Sequence, residues 1–413
     1  MDDGRIGGAA TARYARKKET ILAAATAILN RQGVRGMTLA DVAAQVGLNT
    51  TSVTYYYRKK DDLAAACFMR GLERLEAMVE EAAAQGSPAD RIVKFIELYL
   101  DLHRSVRLGE ATPLTSFAEV KALKEPLRGS VVEAFNNLFR RVRSFFDDPS
   151  LAHLDKRQRN ARAHLLMEQV FWSGRWLRRY DVEDYGRVRD RMGDILLNGL
   201  PAAGRAWAPR PLPDPTPTSL DGLEWRETFL VAATRLINQR GYRGASVEEI
   251  SAALNVTKGS FYHHHDDKDA LVAECFERTF TVTRRSQLDA RELGKGALGA
   301  DCWTQLVSTA AGLTSYQLSE HGPLLRASSL GALPEPLRGD MADGYMRGWQ
   351  RFASIISDGI ADGSIRPIDP SIAAHMINSM LNAAASLPTW VPGLNGEEAA
   401  ELFARPLLTG VLG

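Results

Sequence analysis

Residues 19–68 read ETILAAATAILNRQGVRGMTLADVAAQVGLNTTSVTYYYRKKDDLAAACF, and residues 227–276 read ETFLVAATRLINQRGYRGASVEEISAALNVTKGSFYHHHDDKDALVAECF. The stretches align without a gap, and about eighteen of the fifty positions are identical. Self-similarity on this scale marks a duplicated structural unit and precedes any fold assignment. In the first copy Ile21, Ala25, Ile28 and Leu29 share one helical face, as do Phe229, Ala233, Leu236 and Ile237 in the second. Gly33 and Gly241 then end the helix, because glycine takes the left-handed conformation that follows a last turn. Thr38 with Asp41, and Ser246 with Glu249, are capping-box signatures for a short second helix, LADVAAQVG or VEEISAALN. Small residues there, Ala43 or Ala44 and Ala252 or Ala253, allow another helix to cross closely. A tight turn leads to a third helix, TTSVTYYY or KGSFYHHH. This is the helix-turn-helix pattern, in which the reading helix enters the DNA major groove by its N-terminal residues.

The third helix carries the chemistry of a reader. Thr50, Thr51, Ser52 and Thr54 present short hydroxyls to base edges or phosphates, and Tyr55 and Tyr56 add phosphate bonds or stack on sugars. Thr257, Lys258, Gly259, Ser260, Tyr262 and His263 take the corresponding places in the second copy. Lys60 and Lys268 open a fourth helix where a phosphate would lie. The run His263-His264-His265 does not read as a metal site, since adjacent helical residues diverge and a helical pair of ligands needs a spacing of three or four.

These residues resemble the DNA-binding domain of TetR-type bacterial transcriptional regulators. VTKGSFYHHHDDKDAL is the nearer match to that family's turn, Lys-Gly-Ser, aromatic pair and following Lys. Departures fall at Tyr57 and His265, where the family closes with Phe, and at Thr54 and Thr51, where it has Tyr and often Gly. The fold reading survives them, but base preference is not readable.

The duplication runs further. PLTSFAEVKALKEPLRG from Pro113 echoes PLLRASSLGALPEPLRG from Pro323, and DILLNGL around Leu197 echoes RPLLTGV around Leu408. Between the halves lies LPAAGRAWAPRPLPDPTPTSLDG, whose prolines exclude helix and central strand and predict an extended linker. Roughly twenty residues at about 3.1 Å each span on the order of 60 Å. The expected organisation is a helix-turn-helix domain at 1–68, a larger helical domain at 69–200, a linker at 201–222, a second helix-turn-helix domain at 223–276 and a second larger domain at 277–413. No alternating strand pattern occurs, so the fold class is all-α. The resemblance implies that each larger domain serves ligand binding and dimerisation, its last two helices pairing as half of a four-helix bundle. The matching segments, about 160–199 and 371–411, predict that the halves pair within one chain as an intramolecular pseudo-dimer, with Ala383 to Ala385 permitting close contact.

Net charge is +1 over 413 residues, so any basic surface is local. Residues 1–68 hold roughly ten basic and six acidic side chains, residues 221–280 roughly seven and ten. The first copy also has a basic lead-in, Arg13, Arg16, Lys17 and Lys18, placed to follow a backbone or minor groove. Phosphate neutralisation therefore predicts more non-specific affinity from the first copy. Cys67, Cys275 and Cys302 are too few for a disulfide framework or zinc site, and the first two read as buried packing. No apolar run reaches about eighteen residues and no signal-peptide core occurs, which predicts a cytoplasmic protein without a membrane partner.

A ligand cavity implied by the resemblance would draw on aromatics of the larger domains: Tyr99, Phe117, Trp172 and Trp176 in the first, Trp303, Tyr316, Tyr345 and Trp349 in the second. Candidate polar anchors are His103, His164, His321 and His375. No catalytic triad order, metal spacing or phosphate loop stands out, so neither an enzyme nor a cofactor is expected. The reading is a ligand-responsive transcriptional regulator, a repressor, that binds an imperfectly palindromic double-stranded operator and a small, largely apolar effector. The alternative is a sensor or assembly protein whose second module no longer binds DNA.

Overall fold

A computed structural model describes residues 4–216, 224–242, 244–253, 267–293 and 299–413, and helices dominate all of them. The only departure toward sheet among the described residues is an isolated bridge, Pro201 to Ile365. The all-α expectation therefore holds. The chain divides into two compact units, residues 1–84 with 98–142, and residues 85–97 with 143–413.

The first unit contains α1 (Gly4–Gly36), α2 (Leu39–Gln45), α3 (Thr50–Tyr56), α4 (Lys60–Ala83), most of α6 (Leu127–Arg143) and the C-terminal part of α5 (Pro88–Arg107). The apolar stripe of α1 is its inward face: Ile21, Ala25, Ile28 and Leu29 are all at most 2% exposed. Gly33 breaks the helix with φ 72°, where a Cβ would strain the backbone. Val42 and Ala43 of α2 and Val53 of α3 complete this small core. Cys67 lies within it, its thiol donating weakly to the carbonyl of Leu22.

The second unit contains α7 (Lys156–Trp176), α8 (Tyr185–Asn198), α9 (Glu224–Arg240), α10 (Val247–Ala253), α11 (Lys268–Glu292), α12 (Cys302–Gln317), α13 (Glu335–Ala361) and α14 (Pro370–Ala384). It ends in α15 (Gly396–Ala399), a π turn (Ala400–Ala404) and α16 (Arg405–Thr409). The duplicate core recurs: Phe229, Ala233, Leu236 and Ile237 pack with Ile250, Leu271 and Cys275, and the Cys275 thiol again meets a backbone carbonyl, that of Leu230. One detail differs from expectation. Ala252 and Ala253 are exposed, and Ser251, the counterpart of Ala43, is the small buried residue of α10.

Each head is fastened by one repeated asparagine. Asn30 donates to the Leu114 carbonyl at 2.9 Å and accepts from the Ser116 amide at 2.9 Å. Asn238 does the same with Leu324 at 2.9 Å and Arg326 at 3.1 Å. The PLTS and PLLR segments recognised as part of the duplication are thus the receptors of this clamp.

Within the second unit, helices from the two sequence halves interlock. α7 packs on α14, and α8 packs on α14 and α16. Ala383 and Ala384 are fully packed, so that His164 of α7 reaches the Ala383 carbonyl at 3.2 Å. Asn160 donates to the Trp390 carbonyl and Gln169 to that of Met376. Arg162, 5% exposed, donates to the carbonyls of Val411 and Gly413.

The proline-rich segment is extended as expected, yet docked rather than free over residues 201–216. Its prolines offer no amide donors, so neighbouring side chains satisfy its carbonyls. Trp303 Nε1 donates to Ala206 and Arg285 to Thr216. The Arg210 amide in turn donates to Ser308 of α12 at 2.9 Å.

Candidate nucleic-acid interface

In the first head, Thr38 caps α2, accepting from the Asp41 amide at 3.1 Å, while its hydroxyl donates to the Asp41 carboxylate at 2.7 Å. Asn49 caps α3. Its Oδ1 accepts from both the amide and the hydroxyl of Ser52, at 2.7 and 2.6 Å. Ser52 is therefore partly committed to holding the helix start, and Thr54 bonds back to the Thr50 carbonyl at 2.9 Å. Thr50 and Thr51 remain on the exposed face. Tyr55 is 76% exposed, Tyr56 half-buried and Tyr57 8% exposed. Burial pushes the Tyr57 hydroxyl up to about 12, so three consecutive tyrosines occupy three environments.

Sequence reasoning missed Tyr14. Its ring lies 4.8 Å from that of Tyr56 and 6.4 Å from that of Tyr55, edge-on. Aromatic pairs at such separations are worth about 0.5–1.5 kcal/mol beyond area burial. This cluster seats the basic lead-in, itself the N-terminal part of α1, beside the reading helix, with Arg13, Arg16, Lys17 and Lys18 all exposed. The signal was present in the sequence as a tyrosine amid those cations.

Lys60 is engaged at the end of α1. Its ammonium donates to the Arg35 carbonyl at 3.0 Å and the Val34 carbonyl at 3.5 Å, satisfying acceptors at the end of α1. The exposed cations next to it are Arg58 and Lys59, and Lys59 is the N-cap of α4 without a side-chain cap bond. Lys268 repeats the arrangement, donating to the Tyr242 carbonyl with its ammonium 4.2 Å from the Tyr242 ring centroid. At the place of Lys59 the second head has Asp267, which caps α11 by accepting from the Ala270 amide at 2.8 Å.

Ser246 forms the full capping box, exchanging bonds with Glu249 at 3.2 Å in both directions. Thr257, Lys258, Gly259, Ser260, Tyr262 and His263 lie outside the described residues.

The candidate effector residues scatter. In the first unit Tyr99 is buried against His103, ring centroids 4.7 Å apart, and Phe117 lies between Phe68 and Phe135. His164 stacks on Phe403 at 5.2 Å, and His375, its counterpart in the repeat, is sandwiched between Trp176 and Trp349 at 4.8 and 4.5 Å. Both histidines thus pack between the sequence halves. Desolvation drives both below the usual imidazole range, His375 to about 3 with Arg179 adding to the effect. Trp172 bonds to Glu168 and carries the Arg175 guanidinium on its face. Trp303 holds the linker, and Tyr316 bonds with Arg278 and Thr216. Tyr345 lines a small cavity, of about 50 Å³, with Asn378, Asn382, Gln317 and Phe280. That volume admits a few waters at most. No group of three metal-ligating side chains occurs among the described residues, and no described helix is long and apolar enough to cross a membrane.

The domain of bacterial regulatory proteins of the tetR family matches residues 21–67 and 229–275, the two heads. The chain is 34% identical over 61 residues to the HTH-type transcriptional repressor DhaR of Mycobacterium sp. (strain GP1), covering 15% of this chain and 31% of that protein. It is 31% identical over 71 residues to the HTH-type transcriptional repressor NemR of Escherichia coli (strain K12), covering 17% and 36%. The alignments thus span about a third of the length of these relatives. The TetR family transcriptional regulator PfmR from Thermus thermophilus superposes with a TM-score of 0.37 at 21% identity, covering 44% of this chain and 97% of PfmR. That family's domain is thus present twice in one polypeptide, as in a tandem regulator of the tetR type.

Proposed function

We propose that the chain is a ligand-responsive DNA-binding transcriptional regulator, a repressor, reading an imperfectly palindromic operator with two non-identical recognition helices. The layout is a first reader at 1–68, a first ligand and dimerisation domain at 69–200, a linker at 201–222, a second reader at 223–276 and its domain at 277–413. The observation that carries this reading is the interlock of the halves. α7 and α8 meet α14 and α16 inside one chain, as two subunits of a symmetric DNA-binding dimer would. Readers paired in this way address successive major grooves roughly 34 Å apart. DhaR and NemR are named as repressors, which supports that sign of regulation.

The cavity beside Tyr345 supports an effector site of mixed apolar and amide lining. At about 50 Å³ it is smaller than an ordinary small-molecule site, so an effector would favour an expanded state and shift DNA affinity by its differential binding. The compartment implied is the bacterial cytoplasm, where operator DNA lies.

Selection of bound sequences from random DNA at stated salt, followed by footprinting, tests the reading. Two unlike half-sites about one helical turn apart are the expected result. Strictly identical half-sites of equal weight count against it. The acidic balance of the second copy, with Asp267 where the first has Lys59, favours a second reading in which the second module serves assembly alone. A footprint of one half-site per chain would select it.

A further inference from the structure

A roomier cleft than the cavity beside Tyr345 lies along the docked linker. It has a volume of about 540 Å³ and is walled on one side by the docked linker, on the other by the end of α12 and the start of α15. Leu212, Pro213, Pro215 and Leu318 give it an apolar lining, and the carboxylates of Asp214 and Glu397 stand at its margin, both exposed. Its size falls within the range of small-molecule sites, roughly 300–1,000 Å³. The wall exists because the two halves are joined, so a protein with a single copy of the unit has no equivalent of it.

The cleft also communicates with the second head. Asp214 Oδ1 holds Thr216, accepting from its amide at 2.8 Å and its hydroxyl at 2.6 Å. The Thr216 hydroxyl lies 3.2 Å from that of Tyr316, which lines the cleft. Tyr316 accepts from Arg278 at 2.9 Å, and Arg278 is paired with Glu227 of α9 at 2.5 Å, its own side chain 2% exposed. Arg70 and Glu19 make the same pair in the first head, where Arg70 turns to Thr112. Residue 216 is moreover only eight positions before α9 begins at Glu224.

We propose that this linker-walled cleft is a second effector site, for a small apolar organic cation, that acts on the second head alone. The apolar walls take the body of the molecule, and Asp214 and Glu397 take its ammonium group. A ligand seated against Asp214 and Tyr316 bears on the hydroxyl that Arg278 shares, and so on the Arg278–Glu227 pair that orients α9. The effect on DNA rests on the second head being a reader; binding to the cleft does not.

The test uses the full chain with three probes of like shape: 2-phenylethylamine, 2-phenylethanol and 3-phenylpropanoate. Calorimetry is expected to show the amine binding about tenfold more tightly than the alcohol, the worth of one partly screened ion pair near a protein surface, and the carboxylate most weakly. Asp214→Asn and Glu397→Gln, exposed and near-isosteric changes, should each weaken the amine several-fold and leave the alcohol unchanged. Equal affinity for all three probes, or an amine affinity indifferent to both substitutions, overturns the site. In DNA titrations the saturating amine should alter contacts of the second half-site only, and Tyr316→Phe should abolish that change while retaining amine binding. Amine binding with no such change overturns the coupling and leaves the site standing. If the chain binds no DNA, calorimetry still decides the site, so the two failures are distinguishable.

Discussion

Gly199 and Gly410, which close the matching DILLNGL and RPLLTGV segments, sit against each other's chain. A Cβ on Gly199 would fall 2.5 Å from the Thr409 carbonyl carbon, and one on Gly410 would fall 2.6 Å from the Leu197 oxygen. Both residues have positive φ, 66° and 106°. Around them the Leu200 amide donates to Leu408 and the Val411 amide to Leu196, each at 2.8 Å. The exchange is nearly two-fold symmetric, one residue out of register. The ends of the two halves are therefore sewn together through the backbone, where no side chain can be spared.

Substitution of either glycine is expected to be severe. Gly199→Ala and Gly410→Ala each combine a disfavoured backbone conformation, about 1–3 kcal/mol, with a contact no flexible side chain can relieve, about 1–3 kcal/mol more. Urea unfolding should register a loss of about 3 kcal/mol or more for each. The double variant should lose less than the sum, because both changes open the same contact.

The buried histidines predict acid sensitivity. His375 is held at about 3, mainly by desolvation and then by the Arg179 charge, against an ordinary value of 6.5. The folded state thus binds its proton less readily than the unfolded state between those values. Stability is complete above pH 6.5 and declines as pH falls toward 3. From pH 7 to pH 5 the expected loss is about 2 kcal/mol from His375 alone, and His164 is shifted in the same direction. His375→Phe, which keeps an aromatic between Trp176 and Trp349, should remove that part of the slope when unfolding is measured at both pH values.

Asn30 and Asn238 should act as twin couplers of head to body. Replacing either by Ala removes one donated and one accepted bond, about 1 kcal/mol given their partial exposure. Hydrogen exchange should show the Ser116 amide alone deprotected in Asn30→Ala and the Arg326 amide alone in Asn238→Ala. Deprotection of both amides by either variant would mean that the clamps are not local.

Much of this was legible because helical periodicity and caps are local properties. Ile21 to Leu29 declared their face, and Thr38 and Ser246 their caps, within one or two turns of sequence. The equivalence of EPLRG and of the terminal glycines likewise marked the extent of the duplication. What was not legible depended on long-range partners. That the Lys60 ammonium donates to the Arg35 carbonyl, 25 residues away, leaves no local trace in the sequence. Nor does local sequence show that His164 and His375 stack on Phe403 and Trp176 from the other half. The linker reads as a spacer because composition says what its backbone cannot do, and nothing of the α12 surface that receives it.

The place of Lys60 shifts the expected phosphate contacts to its neighbours. Arg58 and Lys59 are exposed beside the reading helix, and the position of Lys59 is Asp267 in the second head. Each cation that neutralises one phosphate contributes a slope of about one in log affinity against log salt. Arg58→Ala and Lys59→Ala should each lower that slope by about one without altering the melting temperature. Lys59→Asp, which copies the second head, should lower affinity further by adding a charge the DNA repels. Lys60→Ala should instead destabilise the head by about 1 kcal/mol, since it leaves two carbonyls without their donor. Filter binding across a salt series, paired with thermal unfolding, separates these roles. An unchanged slope in both Arg58→Ala and Lys59→Ala would return the phosphate contact to Lys60.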